Sequence, residues 1–449
     1  MLIQFTVGNY RSFKDPVTLS MVAANLKAKD ETLDENNTFA ATPKLRLLKS
    51  AALYGANASG KSNLVKALKF MRDFVINSAR ESQAGDRIPV EPFRLSTETE
   101  NAPSFFEIVF LLEGVKYRYG FEVDAEKVHS EWLFYTPKTK EVELFSREDS
   151  EISYSAGFKE GKDIDERTRK NALFLSVVSQ FNGKLSLKLR ERFMFLDILS
   201  GLEDRDYSLT LLRLESKYEL PGPKILPLIQ KMDLAINDLI VEKHTSTNPD
   251  TIKLLKDLQP TKTFGTFVRQ KTWADFARES SWEQIQDSLK KRVIKTSHTK
   301  FDAQKQAVAE VIFDLDGQES EGTKKLIASA GEFCTALWLG QTLIIDELDA
   351  RLHPLITQSI IRLFNSPQNN KGGQLIFTTH DTNLLSNNFL RRDQIWFTEK
   401  DKYGATDLYS LAEYKVRNDA SYEKNYIVGK YGAIPFIGSL DLRESGADD

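Results

Sequence analysis

The chain has 449 residues, 41% hydrophobic and 28% charged, which is enough to bury a full core and argues against a disordered chain. A net charge of -3 gives no global attraction to nucleic acid, so contact with DNA or RNA would need a local patch. The single cysteine, Cys334, excludes an intrachain disulfide framework and a cysteine-built zinc site.

Met1 to Phe5 lacks the basic start and apolar run of a signal peptide, and no apolar stretch approaches the ~20 residues of a membrane span, so a cytoplasmic protein with no membrane partner is expected. Leu2 to Val7 alternates like a strand, and a second strand is expected over Pro16 to Ala23, after the turn-like Asn9-Tyr10-Arg11-Ser12-Phe13. A polar loop is expected from Lys27 to Lys44. Ser50 to Tyr54 is a short apolar run that stops at glycine, after which Leu64, Leu68, Met71 and Val75 recur at helical spacing. Between Phe105 and Phe145 the pattern becomes hairpin-like, with Glu113-Gly114 as a turn, and an antiparallel layer is expected. Lys184 to Lys300 is polar, lysine-rich and mainly helical in character, broken by Pro221-Gly222-Pro223 and ending in a basic run of Lys290, Lys291, Arg292, Lys295 and Lys300. Heptads are not sustained there, so an insertion is expected, not a long coiled-coil arm. Three segments follow: 1–183 and 306–449 as two lobes, with 184–305 as a mainly helical insertion.

Gly55-Ala56-Asn57-Ala58-Ser59-Gly60-Lys61-Ser62 has the spacing of a phosphate-binding loop and sits between a strand and a helix. Glycines let backbone N–H groups wrap phosphates, Lys61 reaches the terminal phosphates, and the Ser62 hydroxyl is a ligand for Mg²⁺. Leu343-Ile344-Ile345-Asp346-Glu347 is an apolar strand ending in two acids: Asp346 is assigned to magnesium and Glu347 to the general base that deprotonates water. Gln374 to His380 is another strand, ending in a histidine that can hydrogen-bond a γ-phosphate. Taken alone, the acidic strand reads equally as ordinary strand-to-loop punctuation and the histidine more readily as a capping or core-edge residue; their order after the phosphate loop favours the chemical reading. Ser320-Glu321-Gly322-Thr323 opens an apolar helix, where serine is also an ordinary N-cap.

With these residues the chain resembles ABC-type ATPases of the RecF/SMC kind, and more closely the RloA/AbiLii/AriA-like ATPases of anti-phage abortive-infection systems. Asn9 to Phe13 is similar to the family's opening Asn-Phe-Arg-Ser-Phe turn, and Ser320 to Thr323 to its Ser-x-Gly-Thr signature. Asp346-Glu347-Leu348-Asp349 with Leu352-His353-Pro354, Thr379-His380-Asp381, and Gly429 to Pro435 resemble its acidic strand and D-loop, its switch and its C-terminal signature. Ala58 departs from the glycine usual in SMC-type loops. The resemblance implies an α/β P-loop NTPase, an ABC-type ATPase head with a mixed sheet, an antiparallel β layer and a mainly helical insertion. It implies ATP and Mg²⁺ as cofactors, two ATPs sandwiched in a homodimer or higher oligomer, and completion of each site in trans by Ser320, Gly322 and Thr323. Asn9, Arg11, Ser12 and Asn63 are then expected near the nucleotide, with Gln180 as a metal-touching residue between lobes.

Members of that group are usually encoded beside a nuclease or toxin effector, held inactive until a phage trigger is sensed. A sensor ATPase controlling such a partner is therefore the leading expectation, and a RecF-like DNA-repair ATPase the alternative, with the basic run as the DNA contact. A nuclease within the same chain is disfavoured by the short stretch after His380, and Asp204-Arg205-Asp206 reads as a solvated charge cluster.

Overall fold

The structure, a computed structural model, describes residues 1–81, 83–202, 207–215, 224–232, 235–244, 291–417 and 420–435. Pro221-Gly222-Pro223, Asp204 to Asp206 and Lys290 lie outside the described residues. Strands β1 (Leu2–Gly8) and β2 (Val17–Ser20) pair antiparallel across a turn in which Asn9 and Arg11 take positive φ. The segment expected as a polar loop instead holds α1 (Glu31–Asn37), capped by the Asp30 side chain, and the hairpin β3 (Thr38–Thr42) and β4 (Leu45–Leu48). The capping aspartate and the buried Leu47 and Leu48 supply the local signal that polarity alone obscures.

Strand β5 (Ser50–Tyr54) is buried throughout and is followed by α2 (Lys61–Asn77), which buries Leu64, Leu68, Met71 and Val75 as their spacing requires. Next comes the antiparallel run β6 (Ser104–Leu112), β7 (Val115–Val123), β8 (Val128–Thr136), β9 (Val142–Glu148) and β10 (Glu151–Tyr154). Glu113 (φ 51°) and Gly114 (φ 80°) are both left-handed, the conformation a two-residue hairpin turn demands.

Beyond this layer lie α3 (Phe174–Gln180), α4 (Lys184–Met194), β11 (Leu196–Ser200), α5 (Ser208–Glu215), α6 (Ile225–Gln230), β12 (Asp238–His244), β13 (Lys291–Phe301) and β14 (Ala307–Asp314). The chain continues through α7 (Leu315–Gln318), α8 (Glu321–Leu339), β15 (Thr342–Asp346), α9 (Pro354–Phe364), β16 (Gln374–Thr378), β17 (Ile395–Lys400), β18 (Thr406–Ser410) and α10 (Tyr422–Ile427).

Among the described residues the strands form a seven-stranded antiparallel sheet, β10-β9-β8-β7-β6-β1-β2, and a six-stranded sheet, β11-β15-β16-β5-β17-β18. In the second sheet only the β17–β18 pair is antiparallel. Alternation along β5 divides the interior. Ala51 and Leu53 join the core beneath the antiparallel layer and α2, whereas Ala52 and Tyr54 join the core under α8 and α9. Both faces of the parallel strands are thus covered, which explains why they read as unbroken apolar runs.

Two expectations for 184–305 change. β11 is the edge strand of the parallel sheet, paired with β15, so the core sheet extends past residue 184. Lys291–Phe301 is a strand between β12 and β14, not a helix face, and is rich in the β-branched residues Val293, Ile294, Thr296 and Thr299 that favour strands. Arg292 pairs with Glu215 and Lys295 with Glu242, each at 2.6 Å. These cross-element pairs each set an acid against one cation of the basic run. No described helix is long and apolar enough to cross a membrane.

Candidate functional site

The C-terminal ends of β5, β15 and β16 lie side by side, the usual location of a ligand in an open α/β sheet. At the end of β5 the chain turns through Gly55, Ala58 (φ 60°) and Gly60 (φ 116°) into α2. A Cβ on Gly55 would lie 2.4 Å from the Thr398 carbonyl oxygen, and one on Gly60 2.5 Å from Thr406 Oγ1. The loop is pressed against the β17–β18 pair: Ser59 Oγ and Thr398 Oγ1 are 2.6 Å apart, and Thr406 Oγ1 donates to the Ser59 carbonyl at 2.8 Å. Only glycine allows that approach.

Helix α2 begins without a side-chain cap, while α8 and α9 are capped by Ser320 and His353. Its first-turn N–H groups therefore face the loop without a side-chain acceptor, an arrangement suited to an anion. Lys61 is buried and its Nζ folds back to the carbonyl oxygens of Gly55 (2.8 Å) and Ala56 (3.0 Å). Burial lowers its pKa to about 8, against the opposing pull of Asp346, Glu347 and Asp349. Desolvation outweighs the pull of the three carboxylates here. Asn57 and Ala58 are exposed at the loop tip, and Ser62 is half-buried beside Lys61.

At the end of β15, Thr378 of the neighbouring strand organises both acids. Its hydroxyl donates to Asp346 Oδ1 at 2.6 Å and accepts from the Glu347 N–H at 2.7 Å. Glu347 is held at φ 55°, an uncommon conformation for a residue with a side chain. Ser62 and Asp346 are oxygen donors of the kind Mg²⁺ takes together with phosphate oxygens. His380 is exposed, with its N–H 3.4 Å from Asp349 Oδ2. Burial of the ring, then the Lys61 charge, lowers its pKa despite the nearby carboxylates. That shift favours the neutral imidazole, which can both donate and accept a hydrogen bond.

Ser12 sits against the phosphate loop, accepting from Asn63 Nδ2 at 2.8 Å while its carbonyl accepts from Thr406 N at 2.7 Å. Arg11 lines an open groove of about 890 Å³ that also has Asp346 on its wall. Its guanidinium is tied to Glu91 at 2.6 Å. Asn9 has a different job from the one expected. Its Nδ2 is taken by the carbonyls of Thr99, Ala102 and Pro103 and its Oδ1 by the Phe93 N–H, so it pins the 93–103 loop and has no group left for a nucleotide.

Ser320 caps α8, accepting from Thr323 N at 3.1 Å with Thr323 Oγ1 2.8 Å away. Gly322 backs onto Arg351, where a Cβ would meet the carbonyl oxygen at 2.6 Å. Among the described residues no hydrogen bond joins Ser320 or Thr323 to the phosphate loop of the same chain. Gln180 is not brought to the site either. It is the exposed last residue of α3, and Ser176 of that helix bonds the Val75 carbonyl, roughly 20 Å along α2 from Ser62. The Gly429 to Pro435 turn is structural: Tyr431 and Ala433 are buried, and their carbonyls accept from Tyr409 and Tyr426 hydroxyls.

Thr378, Thr398, Thr406 and Lys325 were not singled out from the sequence. Thr378 ends its strand, Thr406 opens its own and Thr398 follows the apolar Ile395-Trp396-Phe397, which is the signal available for them.

A phosphate loop on a central strand of a mainly parallel sheet, paired acids on the strand next but one and a separate antiparallel layer define a P-loop NTPase built as an ABC-type ATPase head. The chain belongs to the family described as "AAA domain, putative AbiEii toxin, Type IV TA system", whose model matches residues 50–386. Among solved structures it is similar to the SMC head domain from Thermotoga maritima, at 13% identity and TM-score 0.37, covering 91% of this chain and 98% of that one. It is also similar to an Smc head domain with an extended coiled coil bound to the C-terminal domain of ScpA, derived from Pyrococcus furiosus, at 12% identity and TM-score 0.38, covering 95% and 98%. No curated protein matches the chain.

Proposed function

We propose that the chain binds ATP with Mg²⁺ and hydrolyses it, as a dimer or larger oligomer in which each nucleotide lies between the phosphate loop of one subunit and the Ser320 cap of another. The observation that carries this reading is the uncapped start of α2 beside the desolvated Lys61, facing Asp346 and Glu347. Gly55 to Ser62 hold the phosphates, Ser62 and Asp346 hold the ion, Glu347 takes a proton from water, and His380 bonds the terminal phosphate. Magnesium supplies charge neutralisation of the phosphates when bound. Ser12 and Asn63 brace the loop, and Arg11 reaches the nucleotide after leaving Glu91. The division into two lobes and an insertion is retained, with the stretch to Ser200 counted in the first lobe.

The family description ties the domain to a toxin–antitoxin setting, and on that basis the chain is read as a sensor-regulator of a separate nuclease or toxin, of the RloA/AbiLii/AriA-like group, answering a phage trigger. The neutralised cations Arg292 and Lys295 give the DNA-repair alternative no added support.

Calorimetric titration with ATP should show binding to the wild type and none to Lys61→Ala. Glu347→Gln should bind ATP but turn it over about 10³-fold more slowly and accumulate as a dimer by light scattering. Wild-type turnover in Glu347→Gln removes it as the base. A monomer at all ATP concentrations removes the shared site.

A further inference from the structure

The turn that carries Glu347 is held from below by a residue of the signature helix. Lys325, on the second turn of α8, donates from Nζ to the carbonyl oxygens of Glu347 (3.2 Å), Leu348 (3.0 Å) and Ala350 (2.8 Å). The three ammonium donors thus meet three consecutive-turn acceptors. On the same side Gly322 backs onto the Arg351 carbonyl and Glu321 pairs with Arg351 at 3.3 Å, so the start of α8 and residues 347–351 form one unit. Glu347 and Arg351 both have positive φ, at 55° and 63°. Left-handed residues with side chains persist only where neighbours fix them, and each costs of order 1 kcal/mol or more. Thr378 fixes the Glu347 N–H and Lys325 its carbonyl. The peptide groups on both sides of the Glu347 Cα are therefore held by side chains from two different elements.

We infer that Lys325 is a positioning residue for Glu347: its ammonium clamps the 347–350 carbonyls and so sets where the Glu347 carboxylate points. This rests on Glu347 being the base. Because Lys325 sits one turn beyond the Ser320 cap, any shift of that cap on engaging a neighbour's nucleotide is carried rigidly to the base of the same subunit. Among the described residues the clamp makes no hydrogen bond to the phosphate loop, so it acts on turnover and not on nucleotide affinity. Burial lowers the Lys325 pKa to about 8, so the ammonium is still present at neutral pH to make all three bonds.

The test is a double-mutant cycle on the full chain, measuring kcat, KM for ATP, ATP affinity by calorimetry and thermal stability. Lys325→Met should lower kcat by about 10²-fold, the scale of a misplacement near 1 Å, with KM and affinity within about twofold of wild type. Lys325→Gln, which keeps two donors, should fall between Met and wild type, and it replaces Lys325→Met if the latter does not fold. In a Glu347→Gln background Lys325→Met should cause no further loss, because the lysine acts only through the glutamate. The inference is overturned by unchanged kcat in both variants, by a parallel loss of affinity, or by a full additional loss in the double mutant. Unimpaired turnover of Glu347→Gln alone is a different result: it removes the base itself.

Discussion

Two helices in this molecule start at functional motifs, and they start differently. Helix α2 leaves Gly60 with no side chain to satisfy its first turn, whereas α8 is capped by Ser320, which accepts from Thr323 N. The glycine start has its walls built by the same chain, through Thr398 and Thr406, and is ready for an anion as it stands. The serine start is satisfied as it stands and has to exchange an internal bond for an external one. A site assembled from one of each would be half preformed and half conditional on a neighbour, which is the behaviour expected of a switch.

The largest effect should come from filling the glycine start. Gly60→Ala places a Cβ 2.5 Å from Thr406 Oγ1 at a φ of 116°. It should cost about 3 kcal/mol of stability by denaturant unfolding and abolish ATP binding by calorimetry. An alanine variant that binds ATP normally would mean that the backbone approach is not the basis of recognition.

Protonation gives a second, intermediate test of the preformed half. With its pKa lowered to about 8, Lys61 deprotonates in the free protein above that value, while a bound polyphosphate would hold the proton on. ATP binding should therefore weaken as pH rises through 8 to 9 and be accompanied by proton uptake, measured by calorimetry in buffers of different ionisation enthalpy. The same shift implies that Lys61 favours folding more as pH rises between about 8 and 10.5, since the unfolded state then binds the extra proton. Proton release on binding would contradict the assignment.

The smallest effect should be Ser320→Ala. Losing a cap costs about 1 kcal/mol of stability, read as a small fall in unfolding midpoint, with ATP affinity of the isolated subunit unchanged. Turnover should fall only where the oligomer forms. If affinity and turnover fall together in dilute monomer, the two helix starts do not differ in the way described.

The preformed half was legible in the sequence and the conditional half less so, for physical reasons. Ser50 to Ser62 declares itself because strand, glycine loop and helix are contiguous, and the Glu113-Gly114 hairpin does so for the same reason. Asn9 misled because its three carbonyl acceptors lie about ninety residues away, so nothing local shows that its amide is already used. The basic run hid its ion pairs because the acids that meet Arg292 and Lys295, Glu215 and Glu242, belong to other elements. Strand β11 was absorbed into the insertion since five residues, Leu196 to Ser200, directly after a basic helix carry little periodicity. Lys325 was invisible as a clamp because its acceptors are backbone oxygens, which every sequence has.

The left-handed Glu347 has a consequence for anyone engineering this chain. Glycine would occupy that position with less backbone strain, so a screen for heat resistance alone would be drawn toward replacing the one carboxylate assigned to activating water. Durability and turnover compete at a single Cα, and selection schemes for this scaffold need to score both.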